Sequence, residues 1–135
     1  MVKKIIYSFV FAAAILSCNN NAKKNPVTDI EVATTFIRAV LDNDFNTAQK
    51  YLLQDEVNQQ YFKSYQQQYQ SNTQTDLQKY KAADILINTL QPLNDTTTVI
   101  NFSNSYKKEI KKNIKLLRSN GLWLIDFKYT FSENK

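Results

Sequence analysis

The chain has 135 residues, enough for one domain, and 43% of them are hydrophobic, enough to bury a core. It has no histidine, which removes the usual general base near neutral pH and the commonest metal ligand. Its single cysteine excludes an intrachain disulfide and its single glycine excludes every glycine-rich phosphate loop, while a net charge of +5, which falls to +3 without Lys3 and Lys4, demands no acidic partner.

Lys3 and Lys4 form a positive start, followed by the apolar run IIYSFVFAAAIL from Ile5 to Leu16. A membrane-spanning helix needs about 20 apolar residues, so this run is too short and reads as a secretory signal peptide over residues 1–17. Ile15-Leu16-Ser17-Cys18 then resembles the lipobox of bacterial lipoproteins: aliphatic residues, a small residue and a cysteine. The resemblance implies a diacylglycerol thioether on Cys18, cleavage between Ser17 and Cys18, and acylation, commonly with palmitate, of the amine so freed. One acyl chain holds a protein marginally and two or more hold it stably. A free thiol after a simple signal peptide, an uncleaved signal anchor and a buried N-terminal segment are the competing readings of the same residues.

Residues 18–26 follow as an acylated cysteine and a tether. Asn19 to Pro26 (NNNAKKNP) offers almost no apolar surface to bury, so it is expected to stay disordered and to reach about 26 Å when stretched. Lys23 and Lys24 either touch anionic headgroups or serve as a plain solubilising spacer. Asn19, where aspartate marks inner-membrane retention in gram-negative lipoproteins, implies by the same resemblance the outer membrane, facing the periplasm.

Residues 27–135 are expected to form the folded domain. Thr28 and Glu31 have the spacing of a capping box, and Val27 and Val32 that of a hydrophobic staple. Ile30, Ala33, Ile37, Val40 and Leu41 recur at helical period, which predicts a first helix ending near Asp42-Asn43-Asp44. A short second helix carries Phe45, Ala48 and Leu52. A third begins after Asp55-Glu56, with Val57, Tyr61, Tyr65 and Tyr69 spaced by four, Phe62 beside them and a wet, glutamine-rich opposite face, and helix resumes over residues 75–81.

The pattern then turns to β. Asp84 to Leu90 reads as a strand, Pro92 to Asp95 as its turn, and Thr96 to Phe102 as a second strand rich in β-branched residues. Asn120-Gly121 is a two-residue hairpin turn that pairs Arg118 with Trp123, Leu116 with Ile125, Ile114 with Phe127 and Lys112 with Tyr129. Lys115 then opposes Asp126 on the other face; a three-residue loop with a bulge would shift this register by one. The segment from Tyr106 to Arg118 reads as the partner strand of that turn, although Ile110, Ile114 and Leu117 also fit a basic amphipathic helix.

Helices followed by strands give an α+β order: two to three N-terminal helices packed on a curved antiparallel sheet of about four strands. DIEVATTFIRAVLDNDFNTAQKYL and the ending KLLRSNGLWLIDF resemble the opening helices and closing hairpin of small lipoproteins with the nuclear transport factor-like, or cystatin-like, cone fold. That resemblance implies a sheet wrapped around the first helix, often with a pocket inside, and no one activity.

No catalytic set stands out. Without histidine a serine or cysteine nucleophile has no base, and Asp42 and Asp44 are too few for a calcium loop. Asp84 and Asp126 with Tyr65 or Tyr129 could form an acid–base pair of the kind cone-fold enzymes use, but on strands both aspartates are expected to face water. Tyr51, Tyr61, Tyr65, Tyr69 and Tyr80 invite a binding-site reading, each a flat apolar face with a polar handle, and Tyr61, Tyr65, Tyr69, Trp123 and Tyr129 are the candidate pocket residues; core packing is the plainer account of the tyrosine stripe. Lys107, Lys108, Lys111, Lys112 and Lys115 form one dense basic run, suited to anionic lipid or cell-wall polymer, or to blocking edge-to-edge pairing of an exposed strand. The sequence therefore reads as a membrane-anchored envelope lipoprotein with a binding or assembly domain, with no cofactor and no nucleic-acid partner. The alternative is a small-molecule enzyme of the cone fold.

Overall fold

The computed structural model describes residues 27–132. The expected signal peptide, Cys18 and the expected tether lie outside the described residues. Four helices come first, α1 (Asp29–Leu41), α2 (Phe45–Gln49), α3 (Glu56–Gln70) and α4 (Gln74–Ala82). They are followed by four strands, β1 (Ile85–Asn94), β2 (Thr97–Asn104), β3 (Lys112–Ser119) and β4 (Leu122–Asp126), and a closing helix α5 (Phe127–Ser132). The strands pair antiparallel in the order β1-β2-β3-β4, so the fold is α+β with an open four-stranded meander.

Each early helix starts on the cap its sequence supplies. The Glu31 amide donates to Thr28 Oγ1 at 3.3 Å and the Thr28 amide donates to Glu31 Oε2 at 3.1 Å, completing the capping box. Val27 stays 60% exposed, so the expected staple to Val32 buries little; the Glu31 carboxylate takes the Val27 amide instead, at 3.0 Å. Asn43 turns the chain out of α1 with φ of 61°, a conformation asparagine tolerates. Asp44 caps α2, Asp55 caps α3 and Thr73 caps α4.

α1 is the central element of the core. Its Val32, Ala33, Phe36, Ile37 and Val40 are buried in one cluster with Ile100, Ile114, Leu116 and Ile125 from the strands. Polar contacts fix its position: Thr98 donates to Asp29 Oδ2 at 2.7 Å, and the Arg38 guanidinium donates to the carbonyls of Ala83 at 2.8 Å and Lys81 at 3.0 Å. Leu52, expected within the second helix, lies beyond its end and is fully buried in an isolated parallel bridge with Ile125. The Leu53 amide donates to Ile125 O and the Ile125 amide to Tyr51 O, so residues 51–53 cover the outer edge of β4.

The strands differ from expectation at three places. β1 runs on through Pro92 to Asn94 and the turn is Asp95-Thr96, where Asn94 Oδ1 accepts from the Thr96 amide at 2.9 Å. Pro92 is tolerated because β1 is an edge strand. The segment from Tyr106 is not a strand until Lys112, and residues 105–111 form a loop. The closing hairpin has the expected two-residue turn and register, with Arg118 opposite Trp123, Leu116 opposite Ile125 and Lys115 opposite Asp126. The ladder stops there. The expected pairs Ile114–Phe127 and Lys112–Tyr129 do not form, because the chain enters α5, which puts the Phe127 ring 5.2 Å from Phe62 and 5.4 Å from Tyr65.

Candidate functional site: an aromatic cavity with a basic mouth

The buried face of α3 is Asn58, Phe62, Tyr65 and Tyr69, not the stripe that begins at Val57. Phe62 stacks among Phe36, Phe45 and Phe127 at 5.8, 5.4 and 5.2 Å. Tyr69 reaches back to α1, its hydroxyl donating to Leu41 O at 3.2 Å. This packing does not fill the space between α1, α3 and the adjoining ends of β2 and β3. A cavity of about 600 Å³ remains there, within the size range of sites that hold small ligands.

Its walls come from distant parts of the chain. Phe36, Ile37, Val40 and Leu41 line it from the second half of α1, and Tyr65 and Tyr69 from α3. Tyr80, Phe102, Ile114 and Phe127 close the apolar lining. The polar part includes Gln68 and Asn72, and its charged members are Lys107, Lys111 and Lys112. Among the described residues the lining contains no carboxylate.

The electrostatics are one-sided. Lys112 leads β3 on the same face as the buried Ile114 and Leu116, so its stem runs along the core side of the sheet. Its Nζ sits 5.0 Å from the centre of the Tyr65 ring. Burial pulls the Lys112 amine below its usual pKa, and Tyr80 nearby pushes the other way. Burial raises the Tyr65 hydroxyl to about 12 and holds Tyr69 higher still, so both stay protonated at physiological pH. Among the described residues none of Lys107, Lys111 and Lys112 has a carboxylate within salt-bridge distance. Lys107 and Lys79 instead lie 5.4 and 5.3 Å from the Tyr106 ring.

Of the five candidate pocket residues, the structure brings two together. Tyr65 and Tyr69 line the cavity. Tyr61 points outward from α3 and is 44% exposed, because the helix turns Asn58 and Phe62 to the core. Trp123 is half-buried at the far end of the hairpin, 5.9 Å from the Arg118 guanidinium. Tyr129 lies in α5 with Lys115 Nζ 5.3 Å from its ring. The basic run does not guard an edge. β3 is an inner strand, Lys107, Lys108 and Lys111 belong to the preceding loop, and Lys115 pairs with Asp126 at 3.9 Å.

Neither aspartate of the acid–base alternative lines the cavity. Asp84 is exposed ahead of β1, as expected. Asp126 is buried, contrary to expectation: its Oδ1 accepts from Asn58 Nδ2 at 3.4 Å and pairs with Lys128 at 3.7 Å. It therefore ties α3 and α5 to the sheet at a place apart from the cavity. No group of three or more cysteine, aspartate or glutamate side chains among the described residues is placed to hold a metal ion. No helix among them is long and apolar enough to cross a membrane.

Phe36, Ile37 and Phe102 escape a reading of the sequence as site residues, since each looks like ordinary core, whereas Tyr80 belongs to the tyrosine set that invites a binding-site reading and does line the cavity. Lys112 carries a usable signal. It has the same parity as Ile114 and Leu116, which places a charged stem on the buried face of an inner strand. Compared with family models, with curated proteins and with solved structures, the chain finds no match in any of the three.

Proposed function

We propose that this chain is a lipid-anchored lipoprotein of the bacterial envelope, held by acyl chains on Cys18, whose domain binds a ligand and does not turn it over. The placement in the envelope rests on the sequence: two lysines, a short apolar run and Ile15-Leu16-Ser17-Cys18 in register. The outer membrane, facing the periplasm, is the location Asn19 favours, and the cone-fold likeness remains part of the proposal. The binding role rests on one observation, a cavity of about 600 Å³ with aromatic and aliphatic walls and no carboxylate among the described residues of its lining. A cavity of that composition can seat and orient an apolar body, and among the described residues its lining offers neither a carboxylate nor a histidine as a general base.

Metabolic labelling tests the anchor. Cells given an alkyne analogue of palmitate are expected to label the mature protein, which fractionates with membranes. The Cys18→Ser variant is expected to lose both label and membrane association. A soluble, unlabelled wild-type product would overturn the assignment.

A further inference from the structure

We propose that the cavity is a binding site for a single-chain anionic amphiphile, an unbranched acyl or alkyl chain ending in a carboxylate or phosphate. The inference deepens the binding role proposed above and does not depend on acylation of Cys18. The apolar tail would lie against Phe36, Ile37, Val40 and Phe102, and the acid group would meet Lys107, Lys111 and Lys112.

Three features specify that chemistry. The tail region is lined by aliphatic and aromatic side chains, so it favours hydrocarbon over sugar or peptide. Among the described residues the charged groups in the lining are all lysines, so the complementary ligand is an anion and a cation is repelled. Lys112 is set on the core face of β3 at 5.0 Å from the Tyr65 ring, partly removed from water and without a carboxylate partner among the described residues. A cation in that position is a cost to the fold that a bound anion would offset. The lowered pKa of Lys112, caused first by burial, agrees with that cost. Core packing alone explains the aromatic walls, but it does not explain a lysine stem aimed along them where an apolar residue would pack without penalty.

The test uses the full chain carrying Cys18→Ser, free of detergent, so that acylation plays no part. Titration calorimetry compares decanoate, decyl phosphate and decan-1-ol, which share one tail and differ in head group. Saturable binding is expected for at least one of the two anions, with the alcohol weaker by about tenfold or more, as for loss of a charge-assisted contact. Binding of the carboxylate alone would point to a fatty acid, and of the phosphate alone to a lysophospholipid; either supports the site. Lys112→Gln, checked for its fold by circular dichroism, is expected to weaken the anion by about tenfold and leave the alcohol unchanged. If that variant does not fold, the ratio of anion to alcohol on the unsubstituted domain decides. Equal affinity for alcohol and anion, no binding of either anion, or equal competition by inorganic phosphate would overturn the inference. Amphiphile binding without palmitate labelling in cells would remove the envelope assignment and leave this site standing.

Discussion

Asn58 shows how much one polar residue can organise. It is fully buried, and its side chain reaches three elements. Its Nδ2 donates to Asp55 Oδ2 at 2.6 Å and to Asp126 Oδ1 at 3.4 Å, while its Oδ1 accepts from the Lys128 amide at 2.8 Å. Asn58→Leu keeps the branched shape but strands the Lys128 amide and removes a donor from the Asp126 carboxylate. A loss of about 2–3 kcal/mol is expected in urea unfolding; a loss below about 0.5 kcal/mol would mean that water replaces these bonds. Asp76 offers a titration test. Tyr106 donates to it at 2.7 Å and Thr73 at 2.8 Å, and these bonds, Tyr106 first, hold its carboxyl below the ordinary 3.8. The fold therefore favours the ionised form. Its stabilising contribution is complete above pH 3.8 and is lost as pH falls through the lower folded value. Tyr106→Phe is expected to return the Asp76 midpoint toward 3.8, read by NMR titration of the carboxyl. An unmoved midpoint would assign the depression to Thr73 and the neighbouring lysines instead.

The closing hairpin was the most legible element, because its turn chemistry is local. Asn120 and Gly121 take φ of 51° and 78°, the positive values a two-residue turn requires. A Cβ at Gly121 would meet nothing within 4 Å, so a substitution there is penalised by the backbone alone. Gly121→Val is expected to cost about 1–2 kcal/mol in thermal unfolding, and an unchanged melting temperature would contradict the turn geometry. The inner face of α3 was legible only in part. The spacing of Val57, Tyr61, Tyr65 and Tyr69 by four selects a drifting stripe, since a straight helix gains about 40° over each such step. The structure keeps the last two and buries Phe62 and the polar Asn58 in place of the first two. Phe62→Ala is therefore expected to cost about 3–5 kcal/mol and Tyr61→Ala less than about 1 kcal/mol. Equal losses in urea would restore the original stripe. The register of the two-residue turn predicts strand through Phe127 and Tyr129, where the structure has α5. Its helical turn is a tertiary outcome, set by the Phe127 ring joining Phe36, Phe62 and Tyr65.

At the scale of the molecule, the cavity was the least legible feature, because no local pattern encodes where α1, α3, β2 and β3 fail to meet. Tyr65 and Tyr69 are legible through their spacing and the lysines as a basic run, but only the fold brings the two sets to one cavity. Its position relative to the anchor has a consequence. The cavity is lined by Phe36 to Leu41 in the second half of α1, whereas the chain runs back toward Cys18 from Val27, ahead of that helix. At 1.5 Å per residue the two ends of α1 lie about 20 Å apart. If the proposed anchor holds the domain close to the bilayer through Val27, its basic mouth would lie at the end away from the lipid, where a ligand arrives through the aqueous phase. Acylation would consume the chain's single thiol, so one introduced cysteine can be labelled cleanly. With the acylated protein in vesicles bearing headgroup spin labels, a fluorophore at Val27→Cys is expected to be quenched more strongly than one at Gln68→Cys beside the cavity. Equal quenching would mean that the domain lies on its side against the membrane, and stronger quenching at position 68 that the lysines face the lipid surface directly.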